Sequence, residues 1–296
     1  MSYYYLAYGL VLQLPFVCPL VPNAPDGAKP DVTVTEGKVP KWLVSPIAED
    51  KYWQIEPNKF LLRGGRKAGR FLVEDGAQIT LERNPEADDV RLAIYFFATV
   101  LAVLLQQRGL LVLHANTALT PLGAVTVSGV SGAGKTTTVA GLLNKECQLL
   151  ADDITVLRLN DTSLVEVVPG PPQLHLCEDT AEIFGYDIQN IPRFAWRRMK
   201  AAVSVPHIMA AQPAPLSALY QLVADDVDDV RIDKLSGFDK FAVLQDCLYG
   251  PTLPNEHPDQ FALFSVMLDS IPFYRISRPA SRWSLDEVIE VILQHG

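Results

Sequence analysis

One octapeptide in the chain has the residue types and the spacing of a nucleotide phosphate-binding loop. Residues 129 to 136 read Gly-Val-Ser-Gly-Ala-Gly-Lys-Thr and fit the Walker A pattern G-x-x-x-x-G-K-[ST]. Glycines let the backbone curl so that successive N–H groups converge on phosphate oxygens. The helix that follows adds its positive N-terminal end. We therefore predict that the nucleotide is bound by Gly129, Ser131, Gly132, Ala133, Gly134, Lys135, Thr136 and Thr137.

Two side chains at the end of this loop carry charge and metal chemistry. The ammonium of Lys135 would reach the β- and γ-phosphates, a catalytic role, and the hydroxyl of Thr136 would be offered to Mg²⁺. The predicted cofactors are therefore ATP and Mg²⁺. The alternative is a glycine-rich turn with an incidental lysine, but a β-branched strand directly before the loop and a helix directly after it favour the nucleotide site.

A second acidic element, Asp152-Asp153, follows one helix and one strand later. A carboxylate at a strand end beside such a loop usually holds Mg²⁺ or orients a nucleophile. Adjacent residues in a regular strand point to opposite faces, so the pair can serve one site only if the strand ends or bends there. The alternative is two solvated carboxylates at a strand end.

Other candidates are less specific. His114 lies within a predicted strand among apolar residues, where a hydrogen-bonded core histidine is the alternative to a catalytic one. Arg193, Arg197, Arg198 and Lys200 form a basic cluster in an otherwise acidic chain. Such a cluster can be a solvated face, a clamp on transferring phosphoryl oxygens or a dock for the substrate.

The elements that must position these residues alternate between strands and helices. We predict a strand over 110–119, a turn over 120–123, a strand over 124–128 that enters the loop, a helix over 135–145, and strands over 148–151 and 154–159. The first 85 residues contain short strands separated by Gly-Gly and Asp-Gly turns. We therefore predict a β-rich N-terminal unit over 1–85 and a kinase domain over 86–296.

Composition limits the class of protein. Lys and Arg total 25 against 34 Asp and Glu, a formal charge of −9, and no long basic run is present, which argues against a nucleic-acid partner. The apolar run over 92–105 is shorter than the ~17 to 25 residues of a spanning helix and predicts a buried helix, with no membrane partner. The four cysteines have no metal-ligand spacing, so we expect free thiols and a cytoplasmic location.

Several of these features together resemble a known family. A histidine-bearing strand, a tight turn, a strand entering the phosphate loop, and Leu-Leu-Ala-Asp-Asp over 149–153 are similar to the catalytic domain of HPr kinase/phosphorylase. They look especially like its bacterial relatives, the HPr-kinase-like serine kinases, some of which accompany ribosomal-peptide modification clusters. The broader relation is to ATP-dependent phosphoenolpyruvate carboxykinase. The resemblance covers roughly residues 90–170.

The resemblance implies an α/β fold with a P-loop kinase core of the HPr kinase/PEP carboxykinase type. It implies that Asp153 accepts the proton of the substrate hydroxyl, that His114 tunes Asp153, and that Asp152 serves the metal with Thr136. The loop ends Lys-Thr-Thr where the HPr enzymes prefer Lys-Ser-Glu, so phosphorolysis and HPr as the substrate are not taken as implied. The partners expected are a nucleotide, a peptide or small-protein acceptor such as a ribosomal-peptide precursor, and a second copy of the chain.

The leading hypothesis is an ATP- and Mg²⁺-dependent kinase that phosphorylates a hydroxyl, namely serine of a peptide or small protein. A small-molecule kinase on the same scaffold is the first alternative. The second is a nucleotide-dependent regulatory or assembly protein with little phosphotransfer.

Overall fold

The computed structural model describes residues 1–65, 68–189, 193–194, 200–251 and 257–295. Its contacts divide the chain into one unit of Met1–Val112 with Tyr249–Ala262 and a second of Leu113–Leu248 with Leu263–Gly296. This division differs from the predicted one after residue 85, because the long helix that follows belongs to the first unit. Asp89 at the start of that helix accepts hydrogen bonds from the Val17 N–H and from Arg83, at 2.9 and 2.8 Å.

The first unit is built on an eight-stranded sheet in the order β1-β2-β3-β8-β7-β6-β5-β4. Up to residue 113 the elements are β1 (Tyr3–Ala7), β2 (Leu10–Leu14), β3 (Val32–Glu36), β4 (Ala48–Glu49), β5 (Trp53–Glu56), β6 (Lys59–Gly65), β7 (Gly69–Glu74), β8 (Gln78–Arg83), α1 (Asp89–Tyr95), a π-helical turn (Phe96–Val100), α2 (Leu101–Gln107) and β9 (Leu111–Leu113). Alternation sets the faces: Val32 and Val34 are buried, and Thr33 between them is partly exposed. The region over 1–85, predicted to be β-rich, contains the strands β1 to β8.

The helical stretch over 89–107 is apolar along most of its length. Leu92, Phe96 and every residue from Val100 to Leu105 are buried, which confirms the predicted buried helix. Within the described residues it is the one helix long and apolar enough to cross a membrane by length and composition alone. Of its apolar 18-residue window, 56% is buried inside the protein.

The second unit holds the phosphate loop. After residue 113 the elements are β10 (Asn116–Thr120), β11 (Gly123–Ser128), α3 (Lys135–Leu143), β12 (Gln148–Ala151), β13 (Thr155–Leu159), β14 (Val165–Val168), β15 (Gln173–Leu176), α4 (Glu178–Ile183), β16 (Arg193–Phe194), β17 (Lys200–Ser204), β18 (Ala214–Asp225), β19 (Arg231–Leu235), α5 (Gly237–Cys247), α6 (Pro258–Ser270), β20 (Phe273–Pro279) and α7 (Leu285–His295). All but the start of α6, which the division counts with the first unit, belong to the second unit. The mixture of strands and helices confirms an α/β fold at the level of class.

Three parallel strands frame the site. The main sheet runs β12-β10-β11-β18-β14-β13, and β20 joins it on β18. Strands β11, β18 and β20 are parallel neighbours, so their carboxyl ends meet at one edge of the sheet. Ligands of open α/β sheets bind at such an edge. A separate small sheet, β15-β17-β16, supplies further residues to the site.

The predicted hairpin before the phosphate loop is confirmed, but the predicted extent of its first strand is wrong. Strands β10 and β11 pair antiparallel, with Thr120 opposite Gly123. The strand predicted over 110–119 is interrupted, because a bend at His114 separates β9 from β10. His114 is therefore not a mid-strand residue.

Helices α3 and α7 pack together beneath the loop. Their contact joins Val139 and Leu142 with Val288, Ile289 and Ile292 in one buried apolar cluster. Gly141 of α3 makes the approach possible, since a Cβ there would lie 2.4 Å from Ile289 Cδ1. The helix that carries Lys135 and Thr136 is thereby held against the second unit's core.

Candidate active site

The loop over 129–136 has the backbone geometry that a phosphate cradle requires. Gly129, Gly132 and Gly134 adopt φ values of 139°, 89° and 108°, in the region that favours glycine. A Cβ at Gly129 would lie 2.5 Å from the Leu222 carbonyl oxygen, so the loop also needs glycine to pass close to β18. Ser131 is exposed and Ala133 is buried.

Lys135 lies across the loop. Its Nζ donates hydrogen bonds to the Gly129 and Val130 carbonyl oxygens, at 2.8 and 3.5 Å. Its side chain is largely buried. Burial lowers the pKa of Lys135, and the attraction of Asp153 opposes that shift. These contacts hold the ammonium against the loop, and its role toward phosphate stays a prediction.

Asn116 connects the loop to the acidic pair. Its Nδ2 donates to the Thr136 hydroxyl at 3.2 Å and to Asp152 Oδ1 through a short hydrogen bond. Asn116 is fully buried at the start of β10, so this connection is shielded from water. The two predicted metal ligands, Thr136 and Asp152, are therefore bridged by one side-chain amide.

Asp152 is held on its other side by His175. Oδ2 accepts from the backbone N–H of His175 at 2.6 Å and lies 2.9 Å from His175 Nδ1. His175 lies on β15 between the buried residues Leu174 and Leu176, so strand alternation turns it away from the core. With Asp152 and Asp153 it forms a group whose ligand atoms all lie within 4.8 Å of one another.

Asp153 faces the same site because the strand ends. The residue adopts φ 64°, a left-handed conformation that costs a non-glycine residue about 1 to 2 kcal/mol. The Ile154 N–H donates to the Asp152 carbonyl at 2.8 Å and closes the turn. Asp153 Oδ2 lies 3.8 Å from His175 Nδ1, and Oδ1 lies 3.5 Å from Lys200 Nζ. The turn meets the condition under which two adjacent aspartates can share a site.

The donors near Thr136 fit a magnesium ion. Mg²⁺ prefers oxygen ligands, and the Thr136 hydroxyl and the Asp152 carboxylate supply them. The side-chain oxygen Oδ1 of Asn116 is buried and has no hydrogen-bond partner among the described residues. A buried polar atom without a partner is costly, and a bound cation would satisfy this one.

Other predicted residues are placed differently. Thr137 is half-buried, and its hydroxyl lies 3.1 Å from that of Thr180. The His114 backbone N–H donates to the Cys247 carbonyl at 2.6 Å, and the tuning role of its side chain stays a prediction. Arg197 and Arg198 lie outside the described residues, and of Arg193 only the backbone is described.

Sequence reasoning missed Asn116 and His175, and it placed Lys200 with the acceptor and not beside Asp153. A signal for His175 existed in the alternation Gln-Leu-His-Leu over 173–176, where one polar residue stands between two leucines. Nothing near Asn116 in sequence points to Asp152, which lies 36 residues away.

Similarity of the chain to known proteins is found at the level of solved structures. No protein-family model matches it, and no curated protein matches it. Among solved structures it is similar to the Hpr(Ser) kinase/phosphatase from Coxiella burnetii, at 13% sequence identity and a TM-score of 0.33. The match covers 62% of this chain and 91% of that one. A likeness this weak carries no functional argument.

Proposed function

We propose that the protein is a kinase that uses ATP and Mg²⁺ to transfer the γ-phosphoryl group to a hydroxyl, namely serine of a peptide or small protein. The observation that carries the proposal is the bridge from Thr136 through Asn116 to Asp152. It brings an acidic pair to the end of a glycine-rich loop of the phosphate-binding pattern. Cradle, metal ligands and a candidate base are the parts that phosphoryl transfer needs.

Each part has a residue. The loop over 129–136 holds the phosphates, with Lys135 toward the β- and γ-groups. Thr136 and Asp152 hold Mg²⁺, and Asn116 Oδ1 is a further oxygen donor beside them. When bound, the ion neutralises charge on the phosphate oxygens. Asp153 accepts the proton of the attacking hydroxyl, and the ion pair with Lys200 holds its carboxylate in place.

The proposal also covers the acceptor, the cellular location and the self-association of the chain. A peptide or small protein is the expected acceptor, and a ribosomal-peptide precursor is one such protein. The four cysteines are unpaired, which suits the reducing cytoplasm where ATP is abundant. Self-association is expected, and light scattering of the purified chain would measure it.

The test is transfer of labelled phosphate from ATP, with Mg²⁺, to a panel of serine peptides and small hydroxyl compounds. Asp153→Asn should remove transfer while nucleotide affinity stays within about twofold. Asp161→Asn, at an exposed turn, is the matched control and should behave as the wild type. Transfer to a metabolite alone would favour a small-molecule kinase. Hydrolysis without transfer to any acceptor, unchanged in Asp153→Asn, would contradict the kinase and favour a regulatory protein.

A further inference from the structure

Arg278 reaches the phosphate loop from another strand. It lies near the carboxyl end of β20, at the edge of the sheet where β11 leads into the loop. Its Nε and Nη2 both donate to the Ala133 carbonyl oxygen, at 3.1 and 2.9 Å, and Nη1 donates to the Pro279 carbonyl at 3.2 Å. Within the described ranges of the chain no carboxylate forms an ion pair with this guanidinium, whose hydrogen bonds all go to backbone carbonyls.

The two hydrogen bonds from Arg278 to the Ala133 carbonyl, called the fork below, orient the peptide between Ala133 and Gly134. A trans peptide is planar, so the Gly134 N–H points opposite to the Ala133 carbonyl. Holding the carbonyl toward Arg278 therefore aims the Gly134 N–H the opposite way, away from that guanidinium. Gly134 adopts φ 108° and is the N-cap of α3, without a side-chain cap. Glycine tolerates a wide range of φ values, so the Ala133–Gly134 peptide keeps one orientation only if another group restrains it.

A guanidinium that donates two hydrogen bonds to one carbonyl oxygen is suited to that task. Arginine presents its N–H groups in a rigid plane, and two donors on one oxygen fix direction as well as distance. Arg278 has five N–H donors, of which three are used in these contacts. A Cβ at Gly134 would lie 3.9 Å from Nε and Nη2, so the guanidinium is in contact with the peptide it restrains.

We propose that Arg278 is a positioning residue for the nucleotide's β-phosphate. It holds the Ala133–Gly134 peptide so that the Gly134 N–H faces the phosphate, and its charge strengthens the attraction for the anion. The inference rests on the proposed nucleotide site and adds a residue 142 positions beyond the motif's threonine, Thr136.

The experiment measures binding of ADP and of AMP, each with Mg²⁺, to the full chain by calorimetry. Arg278→Met should weaken ADP about tenfold, the value of one charge-assisted hydrogen bond. AMP lacks the β-phosphate, so its affinity should change less than about twofold. Arg278→Lys keeps the charge but loses the fork and should weaken ADP by an intermediate factor. Arg275→Met, on the same strand with its Nε on Gln221 Oε1 at 2.9 Å, is the matched control and should bind both as the wild type.

The outcomes separate the two proposals. ADP binding by Arg278→Met within twofold of the wild type overturns the inference and leaves the nucleotide site intact. Equal weakening of ADP and AMP overturns it in favour of a purely structural role. Wild-type affinity for ADP in Arg278→Lys would overturn the positioning role of the two hydrogen bonds to Ala133. If circular dichroism shows that Arg278→Met does not fold, the Arg278→Lys result decides the test. A wild-type chain that binds neither nucleotide overturns the proposed function itself.

Discussion

Lys200 Nζ lies 3.5 Å from Asp153 Oδ1, and both side chains are largely buried, at 23% and 8% exposure. The lysine begins β17, and the aspartate follows β12 in a left-handed turn. This ion pair brings a cation to the candidate base, on the acceptor side of the proposed reaction. Lys200 is the member of the predicted basic cluster whose side chain the structure describes, and it lies at the site.

Replacing Lys200 should affect the acceptor step. For Lys200→Met we expect kcat/KM for the acceptor to fall about tenfold, or ~1.4 kcal/mol, because Asp153 loses its partner and the transferring phosphate loses a nearby cation. ATP affinity should be kept. Steady-state kinetics with the acceptor varied checks this. Lys234→Met, on the exposed side of β19, is the control. If the acceptor kinetics of Lys200→Met are unchanged, the ion pair between Lys200 and Asp153 has only a structural role.

The two aspartates should respond differently to metal. Asp152→Asn should raise the Mg²⁺ concentration needed for half-maximal activity, because it removes a charged ligand and the partner of Asn116 and His175. Asp153→Asn should leave the metal requirement unchanged and remove phosphotransfer. Mg²⁺ titrations of both variants provide the comparison. Identical titration curves would refute this division of roles.

Asn116 should matter for metal binding apart from catalysis. Asn116→Ala removes the bridge between Thr136 and Asp152 and the unpartnered oxygen Oδ1. We expect Mn²⁺, used as a spectroscopic substitute for Mg²⁺, to bind about tenfold more weakly in the presence of ADP. Electron paramagnetic resonance of free Mn²⁺ measures this without turnover. If Mn²⁺ affinity is the same as in the wild type, Asn116 is only a structural residue.

Gly141 should be needed for the packing of α3 on α7. Alanine is a better helix former than glycine by about 1 kcal/mol, yet Gly141→Ala places a Cβ 2.4 Å from Ile289 Cδ1. We expect a net loss of about 1 to 3 kcal/mol in the free energy of unfolding. The double variant Gly141→Ala with Ile289→Val, which removes that Cδ1, should recover part of the loss. A more stable Gly141→Ala single variant would contradict the close approach.

Cys247 should contribute to stability in a pH-dependent way. Burial raises the pKa of Cys247 from 9.0 to about 11. Because the folded pKa is the higher one, its contribution is fully present below pH 9 and is lost as the pH rises toward 11. The free energy of unfolding should therefore fall over this range more steeply in the wild type than in Cys247→Ala. Denaturant titrations at several pH values check the slopes, and equal slopes would show that the thiol is not involved.

Local features of the site were predictable because neighbouring residues determine them. The glycines over 129–134 specify φ values that other residues avoid, and the turn over 120–123 specifies a hairpin between β10 and β11. Helix α3 and strand β12 also lie where the sequence placed them. The acidic pair was recognised from its distance along the chain to the loop. Both side chains can face one site only because the strand ends in a left-handed turn at Asp153.

Residues close together in the chain specify the curled glycine loop, its flanking hairpin and helix, and the acidic pair at a strand end. Which side chains surround these features depends on how the strands pair in the folded protein. Asn116, His175, Lys200 and Arg278 come from four strands, and Arg278 contacts a residue 145 positions away. Such contacts follow from which strands pair and in what register, and a register shift of one residue would turn each side chain to the other face. Sheet pairing depends on the whole chain, so no local pattern could have predicted it.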